Sequence, residues 1–204
     1  MIRLYRFRYS TNVERVTLAL AHKGLEVESV WIDPRDRSPV ERVSGQGLVP
    51  VIDDGGEVVA DSRRILRHLE ARHPDPPLYP LDEARRAEMD VYIDWFNRVC
   101  KRPPNDIEAE LTGERPNQDR IEGLAAEMRA NLDFHEALLA ERDYLFGDRF
   151  SAADCAAFPF LKYALSRDPD DDELFHRILD EHKTVRGRPR LEAWIRRVDQ
   201  RPRA

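Results

Sequence analysis

Three short clusters in this chain carry groups able to do chemistry, and each falls where the backbone changes direction. The first is Tyr9-Ser10-Thr11-Asn12, a run of hydroxyls and one amide between an apolar segment and a helical pattern, with Ser10 at the turn. The second is Val49-Pro50, at the mouth of a short β-branched run. A proline there removes a ladder donor, so it belongs at a strand's first residue, at an edge, or in a cis peptide; each option leaves backbone N–H and C=O groups for a ligand. The third is Asp61-Ser62, which opens the helical spacing of Ile65, Leu66 and Leu69. A carboxylate acceptor, a hydroxyl donor and the unpaired N–H groups of a helix start lie together there.

The elements that must position these clusters are legible over residues 1–75. Residues 2–7 read as a first strand, and 25–32 as a second. Between them Val13, Val16 and Leu20 recur at helical spacing up to the stop signal Lys23-Gly24, and Thr11 followed by Glu14 matches a capping box. A helix between two strands implies a right-handed crossover and parallel pairing. A polar stretch holding a short helix after Pro39 leads to a hairpin, with strands at Val49–Ile52 and Val58–Ala60 and the turn residues Asp53-Asp54-Gly55-Gly56 between them.

The proline-rich stretch His73–Pro80 cannot be regular helix and is the linker, because each proline disfavours the α conformation at its predecessor. Beyond Asp82 the pattern is helical throughout. Met89, Ile93, Phe96 and Cys100 form one stripe, ended by Pro103-Pro104, and Ile121, Leu124, Met128, Leu132, His135 and Leu139 form a second. His135 reads as a satisfied core or rim residue. Ser151 and Asp154 open an almost wholly apolar helix that should be central in a bundle, with Pro159 marking a kink or a first-turn limit. The acids of Asp168–Glu173 read as helix-start residues rather than metal ligands. A last helix carries Leu191, Trp194, Ile195 and Val198.

Composition narrows the function classes. The 204 residues hold 33 Lys and Arg among 39 Asp and Glu, net charge −6, with no basic patch interleaved with aromatics, which argues against nucleic acid as a partner. No apolar run is long enough to cross a bilayer and the first residues lack a signal-peptide core, so the expected location is cytoplasmic. Cys100 and Cys155 lack metal-ligand or redox spacing and read as small core hydrophobes, so neither a disulfide framework nor a metal site is expected.

The β-α-β then β-β-α order, with a proline at the third strand, resembles the thioredoxin fold. With Asp61-Ser62 opening the third helix, the proline-rich linker, and a helical region containing Ser151-x-x-Asp154, the whole chain resembles the cytosolic glutathione transferases. The resemblance implies a thioredoxin-like glutathione-binding domain over 1–75, a linker over 76–81 and an all-helical domain over 82–204. It implies that Pro50 is cis, that Val49 offers its backbone to the cysteinyl part of glutathione, that Asp61 and Ser62 hold the γ-glutamyl end, and that Ser151 and Asp154 act in folding. It also implies a two-fold homodimer, and a second substrate meeting Tyr92, Trp95, Phe96 and Tyr163, although aromatics at helical spacing also suit a core.

Related folds carry cysteines at the positions that fall here on Ser10 and Val13. With neither present, no protein thiolate is available and thiol–disulfide chemistry is disfavoured. What remains is a hydroxyl that stabilises glutathione's own thiolate, with Ser10 the choice, aided by Asn12 and helix N–H groups, and Tyr9 the rival. Lowering a thiol pKa from ~8.5 to ~6.5 requires roughly 2.7 kcal/mol, within reach of one or two charge-assisted hydrogen bonds at ~1.5–3 kcal/mol each. The expected activity is conjugation of glutathione, as co-substrate, to small electrophiles, a detoxification chemistry. The alternatives are a glutathione-dependent cis–trans isomerase of maleyl-type acids, whose usual Ser-Ser-Cys is replaced by Ser10-Thr11-Asn12, and a binding module without chemistry.

Overall fold

In β1 (Ile2–Arg6) the side chains of Ile2, Leu4 and Tyr5 are buried while Arg3 stays exposed. This strand forms the spine of a four-stranded sheet in the order β2-β1-β3-β4, with β2 at Val27–Trp31, β3 at Val51–Asp54 and β4 at Glu57–Ala60. β1 runs parallel to β2 and antiparallel to β3, and β3 is antiparallel to β4. The computed structural model describes all 204 residues. They divide into two compact units, Met1–Leu81 together with Arg201–Ala204, and Asp82–Gln200.

The first unit adds three helices to the sheet: α1 (Thr11–His22), α2 (Ser38–Ser44) and α3 (Ser62–Arg72). Two local expectations are corrected. The N-cap of α1 is Ser10, whose Oγ accepts from Val13 N at 3.3 Å, and Thr11 is a buried first-turn residue. β3 starts at Val51, so Pro50 lies just outside the ladder, and Asp53 and Asp54 pair with Val58 and Glu57. The hairpin loop is then Gly55-Gly56 alone, with φ of 65° and 98°, a conformation glycine adopts without steric cost.

Long-range polar ties close this unit. The buried Lys23 ammonium donates to Glu70 at 2.8 Å and to the carbonyls of His73 and Pro76. The last four residues, grouped with the helices on sequence, return to α1. Arg203 pairs with Glu14 at 3.0 Å, Arg201 meets His22 Nδ1 at 2.9 Å, and Ala204 N donates to the Thr17 carbonyl.

The second unit is helical: α4 (Glu83–Trp95), α5 (Arg102–Thr112), α6 (Gln118–Leu138), α7 (Ala152–Leu161), α8 (Leu174–His182) and α9 (Pro189–Asp199). The stripe expected to run unbroken to Pro103-Pro104 instead passes from α4 into a wide π turn, Phe96–Cys100, and the prolines occupy the first turn of α5, where their missing N–H groups cost nothing. All ten residues of α7 are buried, Pro159 among them. At its start the Asp154 carboxylate accepts from Ser151 Oγ (2.7 Å), Ser151 N (2.9 Å), Leu145 N (3.0 Å) and Trp194 Nε1 (2.8 Å), so one buried acid joins a helix cap, a loop and α9.

His135 is fully buried. Its Nδ1 donates to the Asn131 carbonyl at 2.6 Å, and Nε2 accepts from the Tyr92 hydroxyl at 2.8 Å. The rings of Tyr92, Trp95, Phe96 and Phe134 surround it, which makes Tyr92 and Phe96 core members of this unit. Tyr163 is also buried, its hydroxyl donating to Asp171 at 3.1 Å. The acid run does lead into α8, and within it Asp171 turns inward and pairs with His176 at 2.9 Å.

Candidate functional site

The three clusters meet because of the strand register. Tyr5 pairs with Val51, and Val51 pairs with Ala60, so these residues form a row across β1, β3 and β4. Neighbouring strands lie about 4.8 Å apart, which makes that row about 10 Å wide. One step beyond it, at the same end of the sheet, β1 leads out through Phe7 and Arg8 to Ser10, β3 is entered through Val49-Pro50, and β4 leads into Asp61-Ser62. Ser10, Val49, Pro50, Asp61 and Ser62 therefore surround one edge of the sheet, and Asn12 is half-buried in the first turn of α1. The Val49–Pro50 peptide is cis.

Backbone conformation singles out the same edge. Only three residues other than glycine have positive φ, and two of them, Tyr9 (φ 61°) and Asp61 (φ 77°), flank this edge. Such a conformation costs an L-residue roughly 1–2 kcal/mol and collects where a surrounding site over-determines it.

Each polar group has a definable remaining capacity. The cap bond to Val13 N uses a lone pair of Ser10 Oγ, and the hydroxyl proton is left to donate. Asp61 caps α3 through Oδ1, which accepts from Arg63 N at 3.0 Å and Arg64 N at 3.1 Å; Oδ2 is left to receive a cation. Ser62 is buried in the first turn of α3, beside the helix's unpaired N–H groups. Tyr9, the rival to Ser10, holds its hydroxyl oxygen buried, with the Arg8 guanidinium 4.8 Å over its ring. No cysteine lies in this unit. Both thiols are buried among the helices of the other, and burial pushes the Cys100 thiol up to about 12, which removes it as a nucleophile.

Sequence reasoning missed Arg15. It is 2 % exposed, on a helix otherwise buried through Val13, Val16, Leu18 and Leu20, and its Nη1 lies 3.5 Å from Ser62 Oγ. The available signal was a single guanidinium inside an apolar helical pattern; its partner, 47 residues away, was not readable.

Comparison with known proteins identifies the fold. The family model described as "Glutathione S-transferase, N-terminal domain" matches residues 4–77, and "Glutathione S-transferase, C-terminal domain" matches 118–197. The chain is 26% identical over 211 residues to glutathione S-transferase GstB of Escherichia coli, covering 99% of this chain and 95% of that protein. It is 30% identical over 169 residues to FtsZ-localized protein A of Caulobacter vibrioides, covering 76% and 73%. Among solved structures, a glutathione S-transferase from Rhodospirillum rubrum superposes with a TM-score of 0.77 at 25% identity, covering 99% of this chain and 89% of that one.

Proposed function

The chain belongs to the glutathione S-transferase family, and from that premise we propose that it conjugates glutathione to small electrophilic substrates, with Ser10 stabilising the glutathione thiolate. The observation that carries this reading is the Ser10 hydroxyl: it caps α1 by accepting, and so keeps its proton to donate to a sulfur held against the helix's N-terminal N–H groups. Val49 and Pro50 serve the cysteinyl backbone. Asp61 takes the γ-glutamyl ammonium, and Ser62 with the start of α3 takes the neighbouring carboxylate. Asn12 assists at the first turn of α1. The thiolate then attacks the electrophilic carbon of the second substrate, forming the C–S bond as the leaving group departs or the acceptor bond takes the electron pair. We propose further that the protein acts as a cytoplasmic two-fold homodimer.

The test is Ser10→Ala. The variant should raise the bound-thiol pKa by one to two units and lower kcat/KM by about 10- to 100-fold, in proportion to the lost stabilisation. An unchanged thiol titration and unchanged activity would refute the assignment. The isomerase alternative is decided by offering a cis-enediacid and following its trans product.

A second reading, a binding module without chemistry, draws on the 30% identity to a protein named for its localisation with FtsZ. Calorimetry with glutathione separates it from the first: no heat at millimolar ligand would favour the module.

A further inference from the structure

Arg15 is the only charged residue of α1 that is buried. A guanidinium is all donor and keeps its charge at any working pH, so burying it is costly, and an apolar side chain of similar volume would fill the same space without that cost. Its placement has a consequence for the neighbouring helix. Arg15 Nη1 reaches Ser62 Oγ at 3.5 Å. A serine hydroxyl has one proton and two lone pairs. A donor arriving at the oxygen occupies a lone pair and leaves the O–H to point at an incoming acceptor, and the chain of two donors is polarised in the same sense.

From this contact we infer that Arg15 is a positioning residue for the γ-glutamyl end of glutathione, acting through Ser62. The inference rests on the glutathione reading above. Asp61 and Ser62 are adjacent, at the N-cap and first position of α3. The Asp61 carboxylate alone would repel the carboxylate of an α-amino acid head. The Arg15 cation behind Ser62, added to the positive end of α3, makes the site bipolar: ammonium toward Asp61, carboxylate toward Ser62. The site then recognises a zwitterionic amino-acid head in one orientation, which also sets where the cysteinyl sulfur falls relative to Ser10.

The experiment is titration calorimetry on the full chain with two ligands that differ in this head, S-hexylglutathione and S-hexyl-Cys-Gly, the second N-acetylated so that the cysteinyl amide is kept and no new ammonium is introduced. Both are measured against wild type, Arg15→Met and Arg15→Lys, with circular dichroism confirming the fold. For Arg15→Met the Kd of S-hexylglutathione should rise at least about tenfold, about 1.4 kcal/mol, while that of S-hexyl-Cys-Gly stays within about twofold. Arg15→Lys keeps the charge without the planar fork and should recover part of the loss. Equal losses for both ligands would mean that Arg15 only supports the fold, and no loss for either would mean that it does not act on the site; each overturns the inference. Should Arg15→Met not fold, Arg15→Lys decides alone: a loss confined to S-hexylglutathione supports the inference, and an equal or absent loss overturns it. Failure of the wild-type chain to bind S-hexylglutathione at all would overturn the glutathione reading, and this inference with it.

Discussion

His135 should make the helical unit acid-sensitive over a defined window. Burial, which outweighs the hydrogen bond to the Asn131 carbonyl, pushes its pKa from 6.5 down to about 4. The unfolded chain therefore binds a proton that the folded chain refuses between those values, and stability falls as pH drops through 6.5 and levels off below 4. From the two pKa values the loss is about 2 kcal/mol at pH 5 and about 3 kcal/mol at pH 4, relative to pH 7.5. The perturbation is His135→Gln, which cannot titrate but can still accept from the Tyr92 hydroxyl. It loses packing against four aromatic rings, so it should be less stable than wild type at pH 7.5, yet its stability should decline less on acidification. Urea unfolding followed by tryptophan fluorescence suits the question, because Trp95 lies 6.1 Å from the His135 ring and Trp194 is fully buried in the same unit. Carboxylates and the other histidines titrate alike in both proteins and cancel in the difference. A variant that loses as much stability as wild type between pH 7.5 and pH 5, within about 0.5 kcal/mol, would refute the assignment of a neutral, buried His135.

Two further outcomes test the same physics elsewhere. Lys183 is buried with its ammonium 2.5 Å from the Phe160 carbonyl, and burial lowers its pKa from 10.5 to about 7. The unfolded chain holds the extra proton between those values, so wild type should gain about 2 kcal/mol from pH 7 to pH 9, and Lys183→Met should abolish that gain in urea titrations at the two pH values. Asp61→Gly relieves the strain of a side chain at positive φ, about 1–2 kcal/mol, and against that stand a cap loss of only about a few tenths of a kcal/mol, since glycine is itself a good N-cap, and the greater freedom of glycine in the unfolded chain, about 0.4–1 kcal/mol. Its melting temperature should stay near that of wild type while glutathione affinity, read by calorimetry, drops about tenfold or more; wild-type affinity in Asp61→Gly would reduce Asp61 to a cap.

Much of the fold was legible in local pattern. Helical spacing in Val13, Val16 and Leu20, the Lys23-Gly24 stop, the double glycine of the hairpin and the Ser151-x-x-Asp154 start all act over a few residues, where propensity and capping are strongest. The misplacements were likewise local. A cap moved from Thr11 to Ser10 because either hydroxyl suits the position, and Pro103-Pro104 opened α5 after a wide turn because prolines tolerate a first turn as readily as they end a helix.

By itself the sequence determined the order of elements, the absence of cysteine from the reactive turn and the presence of Ser10, Pro50, Asp61 and Ser62 at element ends, since those follow from residue type and short spacing. Only the tertiary structure decided what faces what. The register of Tyr5, Val51 and Ala60 draws the three clusters to one sheet edge, and packing of α1 on α3 sets Arg15 behind Ser62. The turn of Asp171 inward to His176, and the return of Arg201–Ala204 to α1, belong with these. Each joins residues across the chain through burial and charge, and a buried charge takes its partner from whatever the fold brings near it, which no local pattern encodes.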